Sequence, residues 1–217
     1  MKAVVFDMDG VIFDSERLVI KVWQKLGEKH GFSHVEDVCH QALGTNKETS
    51  KKIFLEYYGE DFPYDTYAKE SSQLYHATYD GRLPLKKGVK ELLAYLKAHH
   101  YKIALASSTR RYTVTLQLRN AGIIEDFDAI ICGDMVEHSK PHPQIYQTAC
   151  QAIDIKPSEA YAIEDSYNGI RSAYNAGMHP IMVPDLMPPT AEMEEKADVI
   201  LVDLIQVITY LEGHNEE

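Results

Sequence analysis

Two carboxylates, Asp7 and Asp9, stand two residues apart directly after the short apolar run Ala3-Val4-Val5-Phe6 and before Gly10. Farther along, Ser107, Ser108 and Thr109 follow a second such run, Lys102 to Ala106. Lys140 sits in a Ser-Lys-Pro sequence beyond a third, and Glu164-Asp165-Ser166 follow a fourth, Ala160 to Ile163. Ligands of open α/β sheets bind just beyond the carboxyl ends of the strands. If these runs are parallel strands, four acids, a hydroxyl pair and one cation converge on one rim. Hard oxygen donors of this kind select Mg²⁺, which keeps several waters and pairs with substrate phosphate. The lysine and the hydroxyls of Ser107 and Ser108 would then hold phosphate oxygens. Each feature alone has a plainer explanation. An acid after a strand often caps a helix, and Lys140 alone would be an ordinary surface lysine. Helix capping does not explain four acids at once. Asp-x-Asp-Gly also opens calcium loops, but such a loop needs an oxygen ligand at its fifth position, here Val11.

The elements that would position these residues can be read from periodicity. Short continuous apolar runs at 3–6, 102–106, 129–132, 160–163, 180–183 and 198–202 suit buried parallel strands. Leu18, Val19, Val22, Trp23 and Leu26 recur at helical spacing, with Ser15 as the expected N-cap and Gly31 as the stop. A second helix is expected from Asn46, carrying Ile53, Phe54 and Tyr57, and a third carries Tyr67, Leu74 and Tyr75. From Gly88 onward helices and strands alternate, with helices around 89–96, before Gly122, around 146–153 and before Gly177. The pattern predicts an α/β protein with a doubly wound parallel, Rossmann-like sheet, interrupted after its first strand by an all-helical insert. The expected division is 1–14 and 81–217 for the sheet domain and 15–80 for the insert. Six of the 14 tyrosines lie in the insert, at helical spacing that suggests packing.

Composition narrows the function classes. The 217 residues carry 22 Lys and Arg against 33 Asp and Glu, a net charge of −11, with no long basic run. A nucleic-acid partner is therefore not expected. Cys39, Cys132 and Cys150 are widely spaced and without CxxC, which argues against a zinc site or disulfide framework and for a reducing compartment. The apolar run before Asp7 is too short for a signal peptide, and no run approaches the ~18 residues of a membrane span. A cytoplasmic monomer acting on a small phosphorylated metabolite is the expectation.

Four segments carry a resemblance: FDMDGVIFDS at 6–15, ALASST at 104–109, SKPHP at 139–143 and IEDSYNGI at 163–170. In order and spacing they resemble the motifs of the haloacid dehalogenase-like phosphohydrolases, closest to the β-phosphoglucomutase-like branch. The resemblance implies roles. Asp7 would be the nucleophile that forms an aspartyl-phosphate, and Asp9 the general acid/base. Ser107 and Lys140 would stabilise the phosphate and the intermediate. Asp7, Asp165 and the Asp9 backbone carbonyl would bind Mg²⁺, with Glu164 as a direct or water-mediated ligand. The helical insert would be a cap that closes over the site, with Lys47 as a substrate-contacting cation. The implied activity is Mg²⁺-dependent hydrolysis of a small sugar or polyol phosphomonoester. A phosphosugar mutase is the alternative, although Val19 and Lys47 stand where the mutase has a histidine and an arginine. Gly44-Thr45-Asn46-Lys47 also fits a spacing found in phosphonoacetaldehyde hydrolase, an enzyme that lacks the counterpart of Asp9. A non-catalytic binding protein would have no need of both Asp7 and Asp9.

Overall fold

The computed structural model describes residues 1–43 and 47–214. Six strands form one parallel sheet: β1 (Ala3–Phe6), β2 (Lys102–Ser107), β3 (Ala129–Cys132), β4 (Ala160–Glu164), β5 (His179–Met182) and β6 (Val199–Ile200). Their order is β3-β2-β1-β4-β5-β6. β1 is thus central, with Val4 opposite Ile103 on one side and Tyr161 on the other. The last expected strand, 198–202, contracts to the two residues of β6.

The two faces of the sheet differ in bulk. Val4, Phe6, Ile103, Leu105, Tyr161 and Ile163 point to one face. There they meet the apolar stripes of α5 (Val89–Ala98), α6 (Arg111–Asn120) and α10 (Leu204–His214). The alternate residues Ala3, Val5, Ala104, Ala106, Ala160 and Ala162 point to the other. That face is almost all alanine, so α7 (Gln144–Ala152) lies close against it and α8 (Tyr167–Asn175) packs beside it. A short helix, α9 (Ala191–Lys196), packs its Met193 against Ile170 of α8 and Met182 of β5.

The insert contains four helices among the described residues: α1 (Glu16–His30), α2 (Val35–Ala42), α3 (Lys47–Tyr58) and α4 (Tyr64–Tyr79). They enclose a separate cluster of Ile20, Trp23, Leu26, Val38, Phe54 and Tyr64. Its centre is aromatic, with Trp23 and Phe54 ring centroids 4.6 Å apart and Tyr64 5.9 Å from Trp23. This is the all-helical cap expected from the sequence, with its tyrosines mainly packed. Leu18, Tyr75 and Tyr79 lie on cap helices yet pack into the sheet-domain cluster, and Leu186 of the sheet domain packs into the cap cluster. α2, α9 and α10 were not individually legible in the sequence. The expected start of α3 at Asn46 lies outside the described residues. α1 ends at Gly31 in the left-handed conformation, as its glycine suggested.

The chain has one tryptophan, and it lies in the cap. Its fluorescence therefore reports on the cap, whereas circular dichroism reports on the whole chain. Phe54→Ala removes a side chain that is 2% exposed, a change expected to destabilise its surroundings by about 3–5 kcal/mol. In urea, the fluorescence midpoint is expected to fall by more than the dichroism midpoint. Equal shifts would show that cap and sheet unfold as a single cooperative unit.

Candidate active site

The candidate site lies at the carboxyl ends of β1, β2 and β4. The ladder continues one residue beyond β1, where the Asp7 N–H donates to the Ile163 carbonyl at 3.0 Å. The chain then turns back sharply: the N–H groups of Ile12 and Phe13 both donate to the Met8 carbonyl. Gly10 occupies this turn at φ +79°, and a Cβ there would lie 2.1 Å from Asp165 Oδ2. Only glycine meets both demands, so Gly10 lets the β1 turn and the Asp165 carboxylate approach each other.

Lys140 is the centre of the arrangement. Its Nζ donates to Asp7 Oδ1 at 2.5 Å, to Glu164 Oε1 at 2.6 Å and to the Ala106 carbonyl at 2.9 Å. These three bonds use all three donors of the ammonium. Its side chain is only 6% exposed. Burial favours the neutral amine, but Asp7 and Glu164 outweigh it, and the group is held above its ordinary range as a cation. A phosphate oxygen arriving at Asp7 would compete for one of those donors. Glu164 is itself fully engaged. Its Oε1 also accepts the Tyr146 hydroxyl at 2.7 Å, and its Oε2 accepts the Ser166 hydroxyl at 3.1 Å. A Cβ on Gly169 would lie 1.9 Å from the Glu164 carboxyl carbon, so that glycine makes room for the buried acid. Tyr146 is fully buried, and its ring stands 4.9 Å from Lys140 Nζ.

Asp9 is held from two sides. The Ser15 hydroxyl donates to Oδ1 and the Thr109 hydroxyl to Oδ2, both at 2.8 Å. Ser15 therefore does not cap α1 with its side chain as expected; a carboxylate is the stronger acceptor and takes its proton. Ser107 is wholly buried, and its Oγ accepts the Thr109 N–H at 3.1 Å. Ser108 is exposed. Asp9 and Thr109 also line a recess of about 530 Å³, whose further walls include Ser72, His76, Arg110 and Gln117. A larger depression of about 700 Å³ lies on the cap around Glu28, Phe32 and His34, but it contains none of these acids. The chemistry of the donors, not the size of the hollow, locates the site. A smaller cavity of about 190 Å³ is lined by Val19, Ile20, Trp23 and Phe54, with Glu16 among its polar residues.

The donor set fits a divalent cation. Asp7, Glu164 and Asp165 each offer an oxygen, all within 4.8 Å of one another. Burial raises the Asp7 carboxyl well above the usual carboxylate range, against the pull of Lys140. Burial and the neighbouring Glu164 and Glu16 do the same to Asp165. Lys140 alone does not offset these acids, and a bound cation would favour ionisation of both aspartates. Since both Glu164 oxygens already accept hydrogen bonds, Asp7 and Asp165 are the acids with coordination capacity to spare.

Thus the structure gathers Asp7, Asp9, Ser107, Lys140, Glu164 and Asp165, as the sequence suggested. It does not bring Lys47 to them. Lys47 begins α3, exposed, where together with Lys51 it lowers the Asp65 carboxyl. Gly44, Thr45 and Asn46 of the phosphonatase-like spacing lie outside the described residues. Ser15, Thr109 and Tyr146 were not legible in the sequence as hydrogen-bond partners of Asp9 and Glu164. Thr109 stood in the quoted ALASST segment, and Tyr146 lies six residues after Lys140.

Comparison with known proteins agrees with this geometry. Residues 4–183 match the family model of the haloacid dehalogenase-like hydrolases, and the chain belongs to that family. It is 29% identical over 181 residues to the phosphorylated carbohydrates phosphatase of Thermotoga maritima, covering 83% of this chain and 84% of that one. It is 32% identical over 196 residues to the β-phosphoglucomutase of Bacillus subtilis, covering 87% and 85%. Among solved structures, a variant of CbbY from Rhodobacter sphaeroides in complex with xylulose-(1,5)bisphosphate superposes with a TM-score of 0.70 at 28% identity, covering 94% of this chain and 95% of that one. The hydrolase reading drawn from the four motifs and the fold read from periodicity both stand. Among the described residues no helix is long and apolar enough to cross a membrane.

Tyr146→Phe keeps the buried ring but removes the hydroxyl that donates to Glu164. A hydrogen bond to a charged group contributes about 1.5–3 kcal/mol. An unfolding free energy lowered by that amount, read as a lower urea midpoint at unchanged slope, is the expected result. An unchanged midpoint would show that Glu164 is held without it.

Proposed function

We propose that this protein is a Mg²⁺-dependent phosphatase that hydrolyses the phosphomonoester of a small sugar or polyol through a phosphoryl-Asp7 intermediate. The observation that carries the reading is the pairing of Asp7, in contact with Lys140, with Asp9, which is clamped at the edge of a polar recess. Asp7 attacks phosphorus as the bond to the leaving oxygen breaks, and Asp9 gives that oxygen its proton. Water then attacks the phosphoryl-aspartate, Asp9 takes the proton of the water, and Asp7 is released with inorganic phosphate. Lys140 and Ser107 hold phosphoryl oxygens, and Glu164 keeps Lys140 in place. Mg²⁺, held by Asp7, Asp165 and the Asp9 carbonyl, would neutralise charge on the transferring group. The recess beside Asp9 is of small-molecule size. Its hydroxyl, amide and cationic walls suit a hydroxylated leaving group, in keeping with the phosphorylated carbohydrates for which the similar phosphatase is named and with the xylulose-(1,5)bisphosphate bound to the CbbY variant. The cap, residues 15–80, encloses that group and selects it.

Hydrolysis is favoured over phosphoryl return to the sugar by what lines the cap side. Val19 is 40% exposed and borders the apolar cavity. It offers no hydrogen-bonding group to a bound sugar, so water is the acceptor.

Two measurements test the proposal. Asp7→Asn is expected to reduce Mg²⁺-dependent phosphate release from a panel of sugar, polyol and aryl phosphates to below ~1% of wild type, since a covalent step contributes several kcal/mol to the barrier difference. Retained activity would remove Asp7 as nucleophile. Phosphorus NMR with β-glucose 1-phosphate and a trace of the 1,6-bisphosphate is expected to show free phosphate ahead of glucose 6-phosphate. The reverse order would make the protein a mutase.

A further inference from the structure

Asp165 also takes part in a second group of acids. Glu16, Asp165 and Asp185 each offer an oxygen, and these too lie within 4.8 Å of one another. The three come from separate elements: Glu16 is the first residue of α1, Asp165 follows β4, and Asp185 lies three residues beyond β5. The Asp185 side chain has no exposed surface. Its Oδ1 accepts from Lys86 Nζ at 2.5 Å and from Arg17 at 3.0 Å, while its Oδ2 is buried without a partner. Glu16 Oε2 is likewise buried and unpartnered. Lys86 and Arg17 account for the burial of the Asp185 charge. They do not account for the two bare oxygens, which are strong acceptors left without donors beside the proposed cation site.

We propose that Glu16 and Asp185 form the outer shell of that site, accepting hydrogen bonds from water molecules bound to the cation held at Asp7 and Asp165. The inference rests on the Mg²⁺ reading given above. Mg²⁺ keeps several of its waters when a protein binds it, and such waters are polarised donors. Oxygens up to 4.8 Å apart can be joined through one water making two hydrogen bonds of ~2.8 Å. Two orphaned carboxylate oxygens beside a ligand carboxylate are the acceptors this hydrate needs. Because Glu16 heads the first helix of the cap, the shell also links cation affinity to the cap.

The test is calorimetric titration of Mg²⁺ into the phosphate-free full-length protein, a binding measurement independent of turnover. Wild type is expected to bind one cation per chain. Glu16→Gln keeps shape and one acceptor and should weaken binding modestly. Glu16→Leu, which the adjoining apolar cavity can accommodate, should raise the dissociation constant roughly tenfold or more at unchanged stoichiometry, the usual effect of losing an outer-shell partner. Asp185→Asn should act in the same direction, with its urea midpoint measured in parallel because Lys86 and Arg17 depend on it. Unchanged affinity in Glu16→Leu overturns the proposal. Two cations per wild-type chain also overturn it, since Asp185 and Glu16 would then be direct ligands. Absence of any Mg²⁺ binding to wild type is a different failure, that of the metal reading itself.

Discussion

The buried ammonium of Lys140 is the interaction on which the site depends. It joins Asp7 to Glu164, and its third proton ties the group to the sheet at Ala106. A lysine so enclosed is tolerable only with every donor matched. The surrounding structure supplies those partners: Glu164 from the end of β4, Asp7 from the end of β1, a backbone carbonyl from β2. Removing any one of them would leave a buried N–H donor of the ammonium unmatched. Tyr146 and Ser166 extend the same logic outward by satisfying the remaining lone pairs of Glu164.

The fold makes room for this network through small residues. The alanine face formed by Ala104, Ala106, Ala160 and Ala162 admits α7 close to the sheet, and α7 carries the tyrosine that reaches Glu164. Gly169 and Gly10 clear space for the Glu164 and Asp165 carboxylates respectively. Larger side chains at these positions would separate the strand ends from the helices that complete the site. Bulk is placed instead on the opposite face, where Phe6, Leu105 and Ile163 form the main apolar core.

Much of this was legible in the sequence because it is local. Each strand is a compact apolar run, and Asp7, Asp9, Ser107, Glu164 and Asp165 stand at or just past the end of one, so strand ends and candidate site residues were read together. What escaped was set by contacts between distant segments. Ser15 looked like a helix cap because its neighbours announce a helix, but its hydroxyl turns toward Asp9. Asp185 follows β5 in a stretch of prolines and methionines, and nothing nearby reveals that Lys86 and Arg17 will bury it. Lys47 attracted attention through its spacing from Gly44 and its place in the mutase resemblance, yet it is exposed beside Asp65. α2 is only eight residues long, and α10 is apolar around most of its surface; both become recognisable through the surfaces they cover.

The central place of β1 bears on how the chain is made. The earliest-made of the six strands is the third across the sheet, and its neighbours start at residues 102 and 160. One edge of Ala3–Phe6 therefore waits, unpaired and apolar, until residue 102 is made, and the other until residue 160. Nucleation of the sheet is dominated by contacts far apart in the chain, a slow step that leaves strand edges open to other chains. The helices that emerge next draw on contacts mostly within residues 15–80, including their own aromatic cluster. They can condense early, so that the helical insert is formed before the sheet it packs against.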